Sequence, residues 1–134
     1  NYVIQKNEEK EYNIFGTPYC HIFGNWPFMR TDEYMEEKFK SIPDEVDIII
    51  THDPPFGLSD VDVILEKVNF PNNFEHRGNI PLSEKLKNTN YKLLVCGHIH
   101  SGNHNFDPES KCVNVSIKNE RYLPVYNPFY YELD

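Results

Sequence analysis

Two short apolar runs each end in histidine, and this constrains the chain more than any other feature. Val46-Asp47-Ile48-Ile49-Ile50-Thr51 runs into His52-Asp53-Pro54-Pro55, and Tyr91-Lys92-Leu93-Leu94-Val95-Cys96 runs into Gly97-His98-Ile99-His100. Both read as buried strands: the first is a β-branched run, and the second is short and apolar with only one charge. Pro54 and Pro55 stop the first strand and stiffen the loop after it. Gly97 is expected to let the backbone turn where the second strand stops. His98 and His100 are two apart, which on extended backbone puts both imidazoles on one side. By the same alternation, Asp53 is expected to point away from His52. In a parallel α/β sheet both junctions lie outside the carboxyl ends of the strands, where such sheets bind ligands. Imidazoles gathered there suit metal binding or phosphate chemistry.

The segment between the runs predicts a helix over residues 81–88, with Leu82 and Leu86 inward and Glu84, Lys85 and Lys87 outward. Strand, helix and strand then form one β–α–β unit with a right-handed crossover. A second helix is predicted over 32–41, capped by Thr31 or Asp32 and ended by Pro43, with Met35 and Phe39 as core contacts. Val61, Ile64, Leu65 and Val68 have helical spacing after a capping Asp60. Residues 70–78 read as loop. Residues 2–5 and 12–15 read as a hairpin, and 112–117, 122–126 and 129–133 as further strands. Residues 16–30, rich in Gly, Pro and aromatics, form a long shaped loop in which His21 reads as a partly buried loop histidine.

Taken together, Thr51-His52-Asp53-Pro54-Pro55 and Cys96-Gly97-His98-Ile99-His100 resemble the second half of a calcineurin-like metallophosphoesterase. The branch that includes the brain metallophosphoesterase-domain proteins is the one most resembled. Phe15-Gly16-Thr17-Pro18 and Trp26-Pro27-Phe28 match its glycine–small–proline segment and the aromatic segment that follows. His76-Arg77-Gly78-Asn79 falls at its His-x-Gly segment. Val113-Asn114-Val115-Ser116 and Pro124-Val125-Tyr126-Asn127-Pro128 match its closing strand and Asn-Pro tail. The family's first half carries Asp-x-His, Gly-Asp and Gly-Asn-His motifs, and this chain has none of them in that order. Gly102-Asn103-His104 spells the third by letters, but it follows the Gly-His-Ile-His and reads as coincidence.

The resemblance implies an α/β fold. Residues 1–134 would be a single partial domain, the C-terminal half of a four-layer α/β/β/α metallophosphoesterase sandwich, with a mixed sheet and flanking helices. It implies a metal-dependent phosphoester hydrolase, a phosphodiesterase or phosphatase, in which a metal-activated hydroxide attacks phosphorus. His52 and His98 would bind one metal and His100 the other. The complete enzyme would hold two divalent ions, of Mn, Fe, Zn or Ni. His76 would lie at the pocket rim, and Arg77 and Asn79 would meet the substrate, a phosphoester small molecule or nucleotide. The bridging carboxylate, the Asn ligand and the acid histidine would come from a first half. This chain alone is therefore expected to be weakly active or inactive, and to associate with that half or with a second copy.

Composition narrows the alternatives. A hydrophobic content of 39% in 134 residues suits one domain with a modest core. The net charge of -8 excludes a generic nucleic-acid surface, which needs a basic patch. It does not exclude a phosphate ester, because bound cations reverse the field locally. No run approaches membrane-spanning length. Cys20, Cys96 and Cys112 are an odd number without close pairing, which points to a reduced, cytoplasmic setting. Two other readings stay open. One is a structural zinc module built from the cysteines and histidines, although no Cys-x-x-Cys spacing exists. The other is a catalytically inactive remnant that binds a partner.

Overall fold

A computed structural model of the protein describes residues 10–65 and 74–134. Its centre is a four-stranded sheet in the order β1-β4-β7-β8, formed by β1 (Ile14–Thr17), β4 (Ile48–Thr51), β7 (Leu93–Cys96) and β8 (Cys112–Asn114). All three pairings are parallel, with Ile14 opposite Ile48, Ile49 opposite Leu94, and Leu94 opposite Cys112. The expected mixed sheet is thus a parallel one. Among the described residues, the antiparallel strand pair is a separate ribbon of β5 (Val63–Leu65) and β6 (Phe74–His76).

Two helices cover one face of the sheet. In α1 (Asp32–Lys40) the Thr31 side chain accepts from the Tyr34 N–H at 3.2 Å, Asp32 and Glu33 lie in the first turn, and Lys38 and Lys40 in the last. Each charge opposes the helix dipole it meets. In α2 (Ile80–Leu86) Asn79 is the cap, accepting from the Leu82 N–H at 3.1 Å, and Pro81 occupies the first turn, where its missing N–H does no harm. Each helix buries an i, i+4 pair: Met35 with Phe39, and Leu82 with Leu86. These side chains form one core with Ile42, Val46, Ile49, Val61, Leu94, Cys96 and Cys112. The opposite sheet face is open at its β1–β4 end, where Ile14 is 52% and Ile50 46% exposed. Parallel sheets normally have both faces covered.

Several expectations do not survive. Where helical spacing is expected from Val61 onward, residues 61–62 form a turn and Val63–Leu65 a strand, β5. Val61, Asp62 and Val63 are all buried and Ile64 is exposed, which is no helical stripe, and the β-branched Val63 and Ile64 favour a strand. Asp60 does not cap a helix: Ser59 and Asp60 both adopt left-handed φ, 52° and 57°, as the chain turns into β5. Residues 74–76, read as loop, form β6. The loop over 16–30 contains a short parallel ladder of β2 (Cys20–His21) with β3 (Met29–Arg30). The segment at 12–15 resolves into β1, which pairs in parallel with β4. The other hairpin strand at 2–5, like Val68, lies outside the described residues. No strand forms over 122–126 or 129–133. The tail makes one isolated bridge, Lys118 with Pro124, because Pro124 and Pro128 lack ladder N–H groups and Tyr122 turns left-handed at φ 59°.

The turn before β8 is held by a carboxylate. Asp107 accepts from the Ser59 hydroxyl, from the Ser110 N–H at 3.0 Å and from the Glu109 N–H at 3.2 Å. These donors, Ser59 foremost, lower its pKa to about 2. A depressed carboxylate stabilises the fold above its unfolded pKa, ~3.9, and that contribution is lost as pH falls through the folded value. Asp107→Asn is therefore expected to lower the melting temperature at pH 6. The gap to wild type should close as the pH approaches 2. Parallel melting curves across that range would contradict the assignment.

Candidate metal centre

His52 follows β4 and His98 follows β7, which are neighbours in the sheet. Their rings meet, with His52 Nε2 3.1 Å from His98 Nδ1 and ring centroids 4.7 Å apart. The left-handed residue at this junction is His98 itself (φ 64°), not the expected Gly97. A non-glycine residue in that region is uncommon and costs about 1–2 kcal/mol, so the surrounding structure holds it there. Among those restraints, the Gly97 N–H donates to the His52 carbonyl at 3.2 Å, and the Asn114 side chain donates to the Ile99 carbonyl at 2.6 Å.

His100 has contacts of its own. Its Nδ1 lies 3.0 Å from the Asn119 carbonyl, and its ring meets Tyr122 edge-on at 5.3 Å. A carbonyl can only accept, so Nδ1 carries the proton and Nε2 keeps its lone pair.

Sequence reasoning missed the group behind the histidine pair. Asp53 is fully buried. Its Oδ2 accepts from the His21 backbone N–H at 2.9 Å, from His21 Nδ1 at 2.7 Å and from Asn79 Nδ2 at 3.1 Å. His98 Nε2 is 3.9 Å from Oδ1. The alternation that turns Asp53 away from His52 is thus also what aims it into the protein. No sequence spacing links residue 21 to residue 53; the pairing exists because β1 leads into β2 alongside β4. The hydrogen bond to Asp53 raises the His21 pKa, outweighing partial burial. Burial lowers that of His98, with the neighbouring imidazoles His52, His21 and His100 adding to this against the pull of Asp53. At neutral pH His98 is therefore an uncharged lone-pair donor.

Phe23 packs 5.1 Å from the His98 ring and 5.3 Å from Trp26, so the 16–30 segment walls one side of the site. His76 Nδ1 bonds the buried Asp62 at 2.8 Å. Arg77 pairs with Glu75 at 2.8 Å on the surface. Asn79 is buried, with one end capping α2 and the other on Asp53, so it stands behind the histidines. Residues 102–104 serve local structure: Asn103 donates to the Ser59 carbonyl, and His104 bonds the His100 carbonyl and stacks on Tyr126.

Among the described residues, no group of three or more His, Cys, Asp or Glu side chains is gathered to hold a metal ion. The donor chemistry nonetheless fits one. Two nitrogens bound at 2.0–2.1 Å to a tetrahedral zinc are about 3.3 Å apart, close to the His52–His98 spacing. His100 also has the carbonyl-tied second nitrogen usual for metal-binding imidazoles. The three cysteines are all free and buried. Among the described residues no helix is long and apolar enough to cross a membrane.

The chain's curated relatives include metallophosphoesterase-domain proteins, in keeping with the branch its motifs resemble. It is 31% identical over 125 residues to metallophosphoesterase domain-containing protein 1 of Homo sapiens, and equally to that of Mus musculus; the match covers 91% of this chain and 36% of each relative. A UPF0046 protein of Caenorhabditis elegans is 32% identical over 110 residues, covering 80% of this chain and 26% of that protein. The chain thus spans between about a quarter and about a third of the length of these curated relatives. No protein-family model matches it.

Proposed function

We propose that this chain contributes the C-terminal part of a metal-dependent phosphoester hydrolase, a phosphodiesterase or phosphatase, built as a four-layer α/β/β/α sandwich. One observation carries the reading: ring nitrogens of His52 and His98 lie 3.1 Å apart beyond the carboxyl ends of adjacent parallel strands. His52 Nε2 and His98 Nδ1 would hold one divalent cation, and His100 Nε2 would serve a second. Bound metal would supply Lewis acidity and a hydroxide near neutral pH. The protein's own groups orient the imidazoles and, through Phe23, shield one side from water. The uncovered sheet face at Ile14 and Ile50 suits packing by a second sheet layer. His76, with Nδ1 fixed on Asp62, is the nearest candidate for a rim residue. Arg77 would reach a phosphate oxygen only by leaving Glu75.

A second reading is a non-catalytic module of the same descent. It is favoured by the lack of a three-residue metal group among the described residues. Titration with Mn²⁺ or Zn²⁺, followed by assay of bis(p-nitrophenyl) phosphate hydrolysis, separates the two. The expected result is one bound cation, lost in His52→Ala, with slow turnover by the 134 residues alone. Binding unchanged in His52→Ala, or no binding, would sink the hydrolase reading in favour of the module.

A further inference from the structure

The two oxygens of Asp53 are treated very differently. Oδ2 receives three donors: the His21 N–H, His21 Nδ1 and Asn79 Nδ2. Oδ1 is buried with no hydrogen-bond partner at all. A buried carboxylate oxygen left without a donor is unfavourable and calls for an explanation. His98 Nε2 stands 3.9 Å away. That is too long for a hydrogen bond, but at this separation in a buried site the carboxylate still favours a proton on the nitrogen that faces it. The other nitrogen of the same ring, Nδ1, faces His52.

We propose that Asp53 is a positioning residue that fixes His98 as its Nε2–H tautomer, leaving the Nδ1 lone pair aimed at His52 for a divalent cation. The cation part of this rests on the hydrolase reading above; the tautomer part does not. In the cation-free chain His52 Nε2–H then donates to His98 Nδ1; for both lone pairs to face a cation, His52 would give that proton to solvent and take one up at Nδ1, remaining a neutral ring. Metal-binding histidines characteristically give their second N–H to a carboxylate or carbonyl, and loss of that partner weakens binding about 10–100-fold. Here the carboxylate is supplied by the residue adjoining one ligand and acts on the other. The same side chain anchors His21, whose ring lies edge-on to His98 at 6.4 Å.

Asp53→Asn tests this with a sign. Three donors converge on Oδ2, so the amide must put its carbonyl oxygen there and its NH₂ at the Oδ1 position. An N–H then faces His98 Nε2 and favours the opposite, Nδ1–H tautomer. Long-range ¹⁵N NMR of the metal-free chain reads the tautomer directly, and calorimetric titration with Zn²⁺ reads the affinity. The expected result is Nε2–H in wild type, Nδ1–H in Asp53→Asn, and Zn²⁺ affinity lower by about 10–100-fold in the variant. Asp53→Ala, which merely removes the carboxylate, should give a tautomer mixture. An Nδ1–H ring in wild type overturns the proposal even if both variants unfold, and so does an Nε2–H ring retained in Asp53→Asn. If wild type takes up no Zn²⁺, the cation reading fails while the tautomers still decide the role of Asp53.

Discussion

Gly102→Ala is expected to destabilise the chain by about 4 kcal/mol, enough to lower its melting temperature by about 10–20 °C. A Cβ at this position would lie 1.9 Å from the Val61 carbonyl oxygen and 2.7 Å from Asn114 Nδ2. The Val61 carbonyl accepts from Asn114 Nδ2 at 3.0 Å, and the same amide reaches the carbonyls of Ile99 at 2.6 Å and Gly97 at 3.5 Å. Asn114 Oδ1 in turn accepts from the Ser116 N–H. One methyl group would therefore wedge apart the hub that ties residues 97–102 to β8 and to the entry of β5. Overpacking costs about 1–3 kcal/mol, and a buried polar group stripped of its partner about 1–3 more. The effect is purely steric, since Gly102 is not in the left-handed region. Gly24→Ala is the matched control: nothing lies within 4 Å of its Cβ, so a change under about 0.5 kcal/mol is expected. Equal melting of both variants would mean that the close approach at Gly102 is not real.

The parts of this fold that were legible in the sequence are those whose cause is local. Thr31 followed by acidic residues announces α1, and Asn79-Ile80-Pro81 announces α2, because capping chemistry acts within a few residues. The runs ending at His52 and His98 announce β4 and β7 because unbroken apolarity marks a buried parallel strand. Residues 61–65 misled because so few apolar positions fit periods of both two and nearly four; the partner strand Phe74–His76 decides, and it is distant in sequence. The tail misled because its aromatics suit strands, whereas Phe106, Phe129 and Tyr131 pack with one another outside any ladder. At the site, the junction histidines were legible but their support was not. Asp53 becomes an anchor only because the β1–β2 segment brings His21 to it, and no local pattern encodes that approach. Likewise the strain falls on His98 where glycine seemed the natural turn residue. Left-handed backbone at a candidate site residue is a feature that propensity does not reveal.

That strain supplies the second large effect. His98→Ala and His98→Gly should both weaken Zn²⁺ binding by about 100-fold or more, since each removes the ligand itself rather than its support. Their stabilities should nevertheless differ, and in the reverse of the usual order. Both variants lose the same ring contacts, with His52 at 3.1 Å and with Phe23 and His21 at 5.1 and 6.4 Å between centroids. Alanine must still hold φ near 64°, at a cost of about 1–2 kcal/mol, whereas glycine adopts it freely and forfeits about 0.5–1 kcal/mol in chain entropy. The glycine variant is thus expected to be more stable than the alanine variant by about 0.5–1 kcal/mol in chemical denaturation of the metal-free protein. Within a regular helix or strand the same comparison favours alanine. An alanine variant as stable as the glycine one would show that residue 98 does not hold the left-handed turn. Zn²⁺ binding retained by both would show that the cation does not sit on this imidazole. Both effects together would mean that the backbone at residue 98 is strained in order to aim its ring.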